Sequence, residues 1–202
     1  VSPARLVFTA VNYNAEQTIT VTGVNDDAID GNLEYEVILG FASSNDPAYN
    51  GLNPGVVKVT NIDDETAGFT ISASSGNTTE AGGTATFTVQ LTSQPAKEVT
   101  LPLSSSAATE GTVSPSSLTF TKTNWNSQQT VTVTGVDDTS VDGSKSYTIL
   151  LGKTSSLDPA YNELDPEDVT VINVDNDMAG FTISASSGNT TEAGGTATFT
   201  IK

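Results

Sequence analysis

Thr130–Gly143 reads TVTVTGVDDTSVDG, and Thr18–Gly31 reads TITVTGVNDDAIDG. In each, threonine alternates with Val or Ile, the period-two pattern of a strand with one buried and one wet face. The alternation ends at a glycine followed by a knot of acidic residues. A strand therefore delivers carboxylates to one end of a domain. The two stretches lie 112 residues apart, and the same offset carries Val1, Ser2 and Pro3 onto Val113, Ser114 and Pro115, and Phe69 onto Phe181, without a gap. The chain is a repeat protein.

Residues 67–178 make one complete repeat, with apolar residues in short alternating runs between turn residues. The inward sets are Phe69, Ile71, Ala73; Ala85, Phe87, Val89, Leu91; Val99, Leu101, Leu103; Leu118, Phe120; Val131, Val133; Tyr147, Ile149, Leu151; and Val169, Val171. SSGN, EAGG, SQPA, SPSS, DG and DPAYN mark the turns between them. The predicted fold is all-β: tandem immunoglobulin-like, seven-stranded β-sandwich repeats with a 112-residue period. Residues 1–66 match 113–178 at about half their positions, and 67–89 match 179–201 except that Ile201 replaces Val89. Residues 1–66 are thus expected to be the last four strands of one repeat, and 179–202 the first two of another.

The 24 acidic side chains outnumber 7 basic ones, for a net charge of -17. Such a surface repels nucleic acid and draws divalent cations. No apolar run approaches the roughly 18 residues that insert into a membrane as a helix. With no Cys and no His, thiolate and imidazole chemistry are excluded.

In the complete repeat the acidic residues gather at strand ends: Glu80, Glu110, then Asp137, Asp138 and Asp142, and the Asp175, Asn176, Asp177 triplet. In a sandwich these ends can share one pole. Carboxylates within about 4 Å repel by a few kcal/mol per pair at an effective dielectric near 20, so the pole calls for a cation or protons. Calcium fits best, because it takes six to eight hard oxygen ligands in forgiving geometry. An EF-hand reading of Asp138, Ser140, Asp142 and Gly143 fails, since Ile149 stands where the bidentate Glu belongs. Each cluster also has a plain reading: Asp142–Gly143 and Asp30–Gly31 as hairpin turns, Asp175–Asp177 as a solvated linker. Their convergence on one pole favours the ion.

TEAGGTATFTV (79–89), VTVTGVDDTSVDG (131–143) and VDND (174–177) together resemble the Calx-beta family, the sandwich repeat of sodium/calcium exchangers and many large bacterial surface proteins. The resemblance implies calcium at the domain junction, held by Glu80, Asp137, Asp138, Asp142, Asp175 and Asp177, with Glu110 and Asn176 beside them. Thr139 and Lys145 depart from the exchanger-like pattern, where acidic residues stand, which implies fewer ions or weaker binding. By the same motifs the first segment contributes Asp26, Asp30, Asp63, Asp64 and Glu65, with Asn25 in place of an acid and no upstream Glu, and Glu192 repeats Glu80. Bacterial repeats carrying NWN, VTVTGVDD and DPAYN look closer still, and imply a secreted, cell-surface role in adhesion or spacing.

No nucleophile with its base, and no acid and base held apart in a cleft, stands out, so the chain is not expected to be an enzyme. The expected role is structural and adhesive, stiffened by Ca²⁺. The partners are neighbouring repeats or identical chains joined by strand addition, the segment 180–202 completing the 1–66 segment of the next chain. The alternative is a carbohydrate- or protein-binding module, gripping a glycan or surface protein with loops that include DPAYN and NWN, with Trp125 and its counterpart Tyr13 as stacking candidates; an aromatic capping a sandwich edge is the commoner use.

Overall fold

The computed structural model describes all 202 residues, and it is built of strands without helices. The complete repeat holds β3 (Phe69–Ile71), β4 (Thr78–Thr79), β5 (Thr84–Leu91), β6 (Val99–Ser105), β7 (Gly111–Ser114), β8 (Ser117–Phe120), β9 (Gln129–Gly135), β10 (Lys145–Leu151), β11 (Ser155–Ser156) and β12 (Val169–Val174). One sheet runs β3-β5-β9-β7; the other runs β11-β6-β10-β12-β4, with β8 added on β6. Between them lies a core of 18 buried residues, all from 85 to 171. The pattern in the sequence explains it: in β5 and β9, Ala85 faces Val133 and Phe87 faces Val131 across the ladder, while the intervening threonines point outward. Fully burying side chains such as Phe87, Leu101 and Phe120 contributes about 1.5–3 kcal/mol each.

The structure has more and shorter strands than the seven expected. The SPSS turn carries the chain from one sheet to the other, so β7 pairs with β9 while β8 pairs with β6. The stretch after Ile71 also differs, because Ala73 is exposed. There the hydroxyls of Ser72 and Ser75 accept the N–H groups of Thr88 and Thr86, each at 2.9 Å, in place of backbone carbonyls. Local side-chain acceptors of this kind compete with a regular ladder. Trp125, absent from the expected inward sets, is buried in the core.

Outside the complete repeat, regular pairing is sparse. Residues 1–66 carry two strands, β1 (Leu33–Ile38) and β2 (Val56–Asn61), rather than four. The β7–β9 ladder is reduced there to one bridge, Ser2 with Thr20, and the β3–β5 ladder is reduced in the last segment to Ile183 with Ile201. The physical reason is the missing neighbour: β9 is flanked by β5 and β7, whereas Ile19 and Val21 have no such pair of strands beside them.

One pairing positions everything at the acidic pole. β4 runs parallel to the end of β12, with Thr78 opposite Asn173 and Thr79 opposite Val174. The fully buried Asn173 ties three segments together: its Oδ1 accepts from Thr78 Oγ1 at 3.1 Å, and its Nδ2 donates to the Val136 carbonyl at 3.0 Å. Gly135 makes room for this, since a β-carbon there would collide with the Thr79 carbonyl oxygen and Asn173 Oδ1. Asn173→Ala is expected to destabilise the complete repeat by about 1–3 kcal/mol, because buried partners lose their hydrogen bonds. Urea denaturation followed by Trp125 fluorescence measures it; an unchanged midpoint would contradict the role given to Asn173.

Candidate metal centre

Two strands that end side by side in parallel place the residues after them side by side too. Glu80 follows β4 and Asp175 follows β12, and the Glu80 N–H continues the pairing by donating to the Val174 carbonyl at 3.1 Å. A carboxylate oxygen from each of Glu80, Asp175 and Asp177 lies within 4.8 Å of the others, and Glu80 is only 2 % exposed. Asp175 is committed to the fold: its Oδ2 accepts from Gly143 N at 2.6 Å and its Oδ1 from Asp177 N at 2.7 Å. Glu80 Oε2 accepts from Asn176 N at 3.1 Å. Asp177 Oδ2 is buried and has no hydrogen-bond partner.

The electrostatics follow from this division. The Asp177 and Gly143 N–H groups hold the Asp175 carboxyl below its ordinary value. For Glu80 the Asn176 N–H is the largest influence and lowers it, but desolvation and the charges of Asp175, Asp138 and Asp177 outweigh that bond and push it up. Desolvation, then the charges of Asp175, Asp137, Asp138 and Asp142, push Asp177 up as well. The group holds a fixed anion beside two carboxyls that resist ionising. A buried, unpartnered oxygen beside them suits a hard cation, and the donors are all oxygen.

The remaining expected residues fall into distinct places. Asp137 is exposed and accepts from Asn176 Nδ2 at 3.2 Å; Asp138 is half-buried, with Oδ1 accepting from Ser140 N. Asp142 is exposed and pairs with Lys145 at 3.3 Å, so one carboxylate at the pole already has a cation. Glu110 stands outside the carboxylate trio; its carbonyl accepts from Val136 N, and its charge bears on Tyr147. In the first segment Asp26, Asp30, Asp63, Asp64 and Glu65 line an open concavity of about 280 Å³ with Gly31. Asp63 repeats the role of Asp175, accepting from Gly31 N and Glu65 N. Asn61 Nδ2 donates to the Val24 carbonyl as Asn173 does to that of Val136. Glu192 is exposed in a turn. Trp125 has its ring in the core rather than facing a ligand, while Tyr13 is 69 % exposed. Sequence reasoning passed over Asn173, Thr78 and Gly135; an Asn at an inward-facing position of both β2 and β12, 112 residues apart, was the available signal.

A β-sandwich repeat with an oxygen-only acidic pole at the ends of its strands defines the class. Residues 2–65 and 63–177 match the Calx-beta domain, and the chain belongs to the Calx-beta family. Calx-beta domains are known to bind calcium. Among solved structures, the chain is similar to domains 4 and 5 of the S-layer protein SbsC, at 18% identity over 80% of this chain and 87% of that one, with a TM-score of 0.32. No curated protein matches it.

The pKa directions set a pH dependence. Raised values on Glu80 and Asp177 mean that the folded state holds more protons than the unfolded chain above their ordinary values of 4.5 and 3.8, so stability rises as pH falls through the raised values. Asp175 acts in the opposite sense: its stabilisation is present above 3.8 and lost as pH falls through its lowered folded value. In chelator, the melting temperature is expected to rise on going from neutrality toward 4.5, and Asp177→Asn to flatten that rise. A steady fall over this range by circular dichroism would contradict the reading.

Proposed function

We propose that the chain is a non-catalytic structural and adhesive repeat of an extracellular or cell-surface protein, stiffened by calcium at its repeat junctions. The observation that carries this is the buried, unpartnered Asp177 Oδ2 beside Glu80 and Asp175. Glu80 and Asp177 would supply the free oxygens, with Asp137 and Asp138 close enough to add to the field, while Asp175 shapes the loop. Calcium would neutralise a cluster that otherwise opposes its own ionisation. Lys145 against Asp142 lowers the local negative charge, in keeping with modest affinity. No helix is long and apolar enough to cross a membrane. Calcium is expected to raise the melting temperature, and magnesium to do so less, because Mg²⁺ demands tighter geometry. At about a hundredfold excess over Kd the gain is about 2.7 kcal/mol. Asp177→Asn should abolish it. Identical melting curves in excess EGTA and in calcium would sink the proposal.

The exposed segment edges support strand addition between chains. Phe181, Ile183, Phe199 and Ile201 repeat the residues that β3 and β5 place against the core, yet all four are more than half exposed. Residues 17–23 repeat β9, the strand on which β5 pairs. Seating 196–201 of one chain on 17–23 of another would reproduce the β5–β9 ladder and, being heterologous, would propagate. Light scattering should show assembly that grows with concentration and disappears when 180–202 are deleted. A monomer at every concentration would contradict it.

A further inference from the structure

The DPAYN motif, Asp158–Asn162, has no part in the acidic pole, yet two of its side chains are buried. Asp158 is 7 % exposed, with Oδ1 accepting from Ala160 N at 3.0 Å and Oδ2 from Ala96 N at 2.6 Å. Tyr161 is fully buried. Its hydroxyl donates to the Ser93 carbonyl at 2.7 Å and accepts from Ser93 N at 3.2 Å. The loop therefore pins the turn between β5 and β6 at both ends, Ser93 by the tyrosine and Ala96 by the aspartate.

What the pinned turn touches is the preceding segment. Gln94, between the two pins, donates its N–H to the Asp27 carbonyl at 2.7 Å and forms a parallel bridge with Ala28. The next residue, Ile29, packs against the core of the complete repeat. The Thr66 carbonyl, at the crossing between segments, accepts from Thr92 Oγ1 at 2.8 Å and Ser93 Oγ at 3.1 Å. We infer that the DPAYN loop is a junction lock, which holds the Ser93–Ala96 turn in shape to receive the tip of the acidic loop of the preceding repeat. None of the contacts across the junction uses a carboxylate, so the lock stands apart from the calcium reading.

The 112-residue offset supplies an internal comparison. Val141, the counterpart of Ile29, is 58 % exposed and is not among the residues packed against the core. Tyr49, the counterpart of Tyr161, is 59 % exposed although Asp46 still accepts from Ala48 N and keeps the loop in shape. At the junction the tip residue Ile29 is partly buried and Tyr161 fully buried, whereas their counterparts Val141 and Tyr49 are exposed.

The chain has no cysteine, so spin labels can be placed cleanly at Lys58→Cys and Lys153→Cys, one on each side of the junction. Double electron–electron resonance in excess EGTA reads the distance distribution. A single narrow distribution is expected for the parent, broadening in Ile29→Ser and in Tyr161→Phe, which keeps the ring but removes the hydroxyl bonds to Ser93. Val141→Ser, the same loss at an exposed tip, should leave it narrow. Trp125 fluorescence checks that the complete repeat stays folded, and Ile29→Ser decides alone if Tyr161→Phe does not fold. A parent distribution as broad as that of Ile29→Ser, or a narrow one in a folded Tyr161→Phe, overturns the inference.

Discussion

A parallel pairing two residues long, Thr78–Thr79 against Asn173–Val174, fixes the acidic pole. It joins positions 95 residues apart in sequence, so the pole depends on the long-range topology of the sandwich rather than on any local segment. The pairing is held by buried polar chemistry: Asn173 binds Thr78 on one side and the Val136 carbonyl on the other, and a glycine at 135 permits the approach. Such a network is stable only when every member is satisfied, and here the fold satisfies it before any ion enters.

The pole divides labour among its carboxylates. Asp175 accepts two backbone N–H groups and closes the loop that begins at β9, so its charge is stabilised by the protein. Glu80 and Asp177 inherit the cost, since each sits in that fixed field with less solvent and fewer donors. The same division recurs in the first segment, where Asp63 is lowered by Gly31 N–H and Glu65 is raised by its bond with Asp63. In the proposed calcium site, fold stability and ion affinity would therefore rest on different residues of one cluster, and could be changed separately.

The sandwich was legible because alternation is local: the inward residues of β5, β6, β8, β9, β10 and β12 read directly from the sequence and are buried. What could not be read depends on contacts between distant segments. β4 and β11 are too short to show a period, and Ala73 lies where serine hydroxyls replace the ladder. The acidic triplet and Glu80 were legible as clusters, but nothing in their spacing separated them from Glu110, which the topology keeps outside the trio. Trp125 and Tyr161 look alike in sequence as loop aromatics, and only packing shows that both lie in the core and that the Tyr161 hydroxyl reaches Ser93.

If the β4–β12 pairing organises the pole, then the amides that bond across it report on the whole account. Glu80 N donates to the Val174 carbonyl and Asn176 N to Glu80 Oε2, so amide hydrogen exchange at these two sites, followed by NMR in EGTA and then in calcium, is the direct measurement. Slow exchange at both in EGTA, slower still in calcium, is the predicted result. Exchange at both as fast as in an unpaired loop, unchanged by calcium, would show that neither the pairing nor the ion site is there.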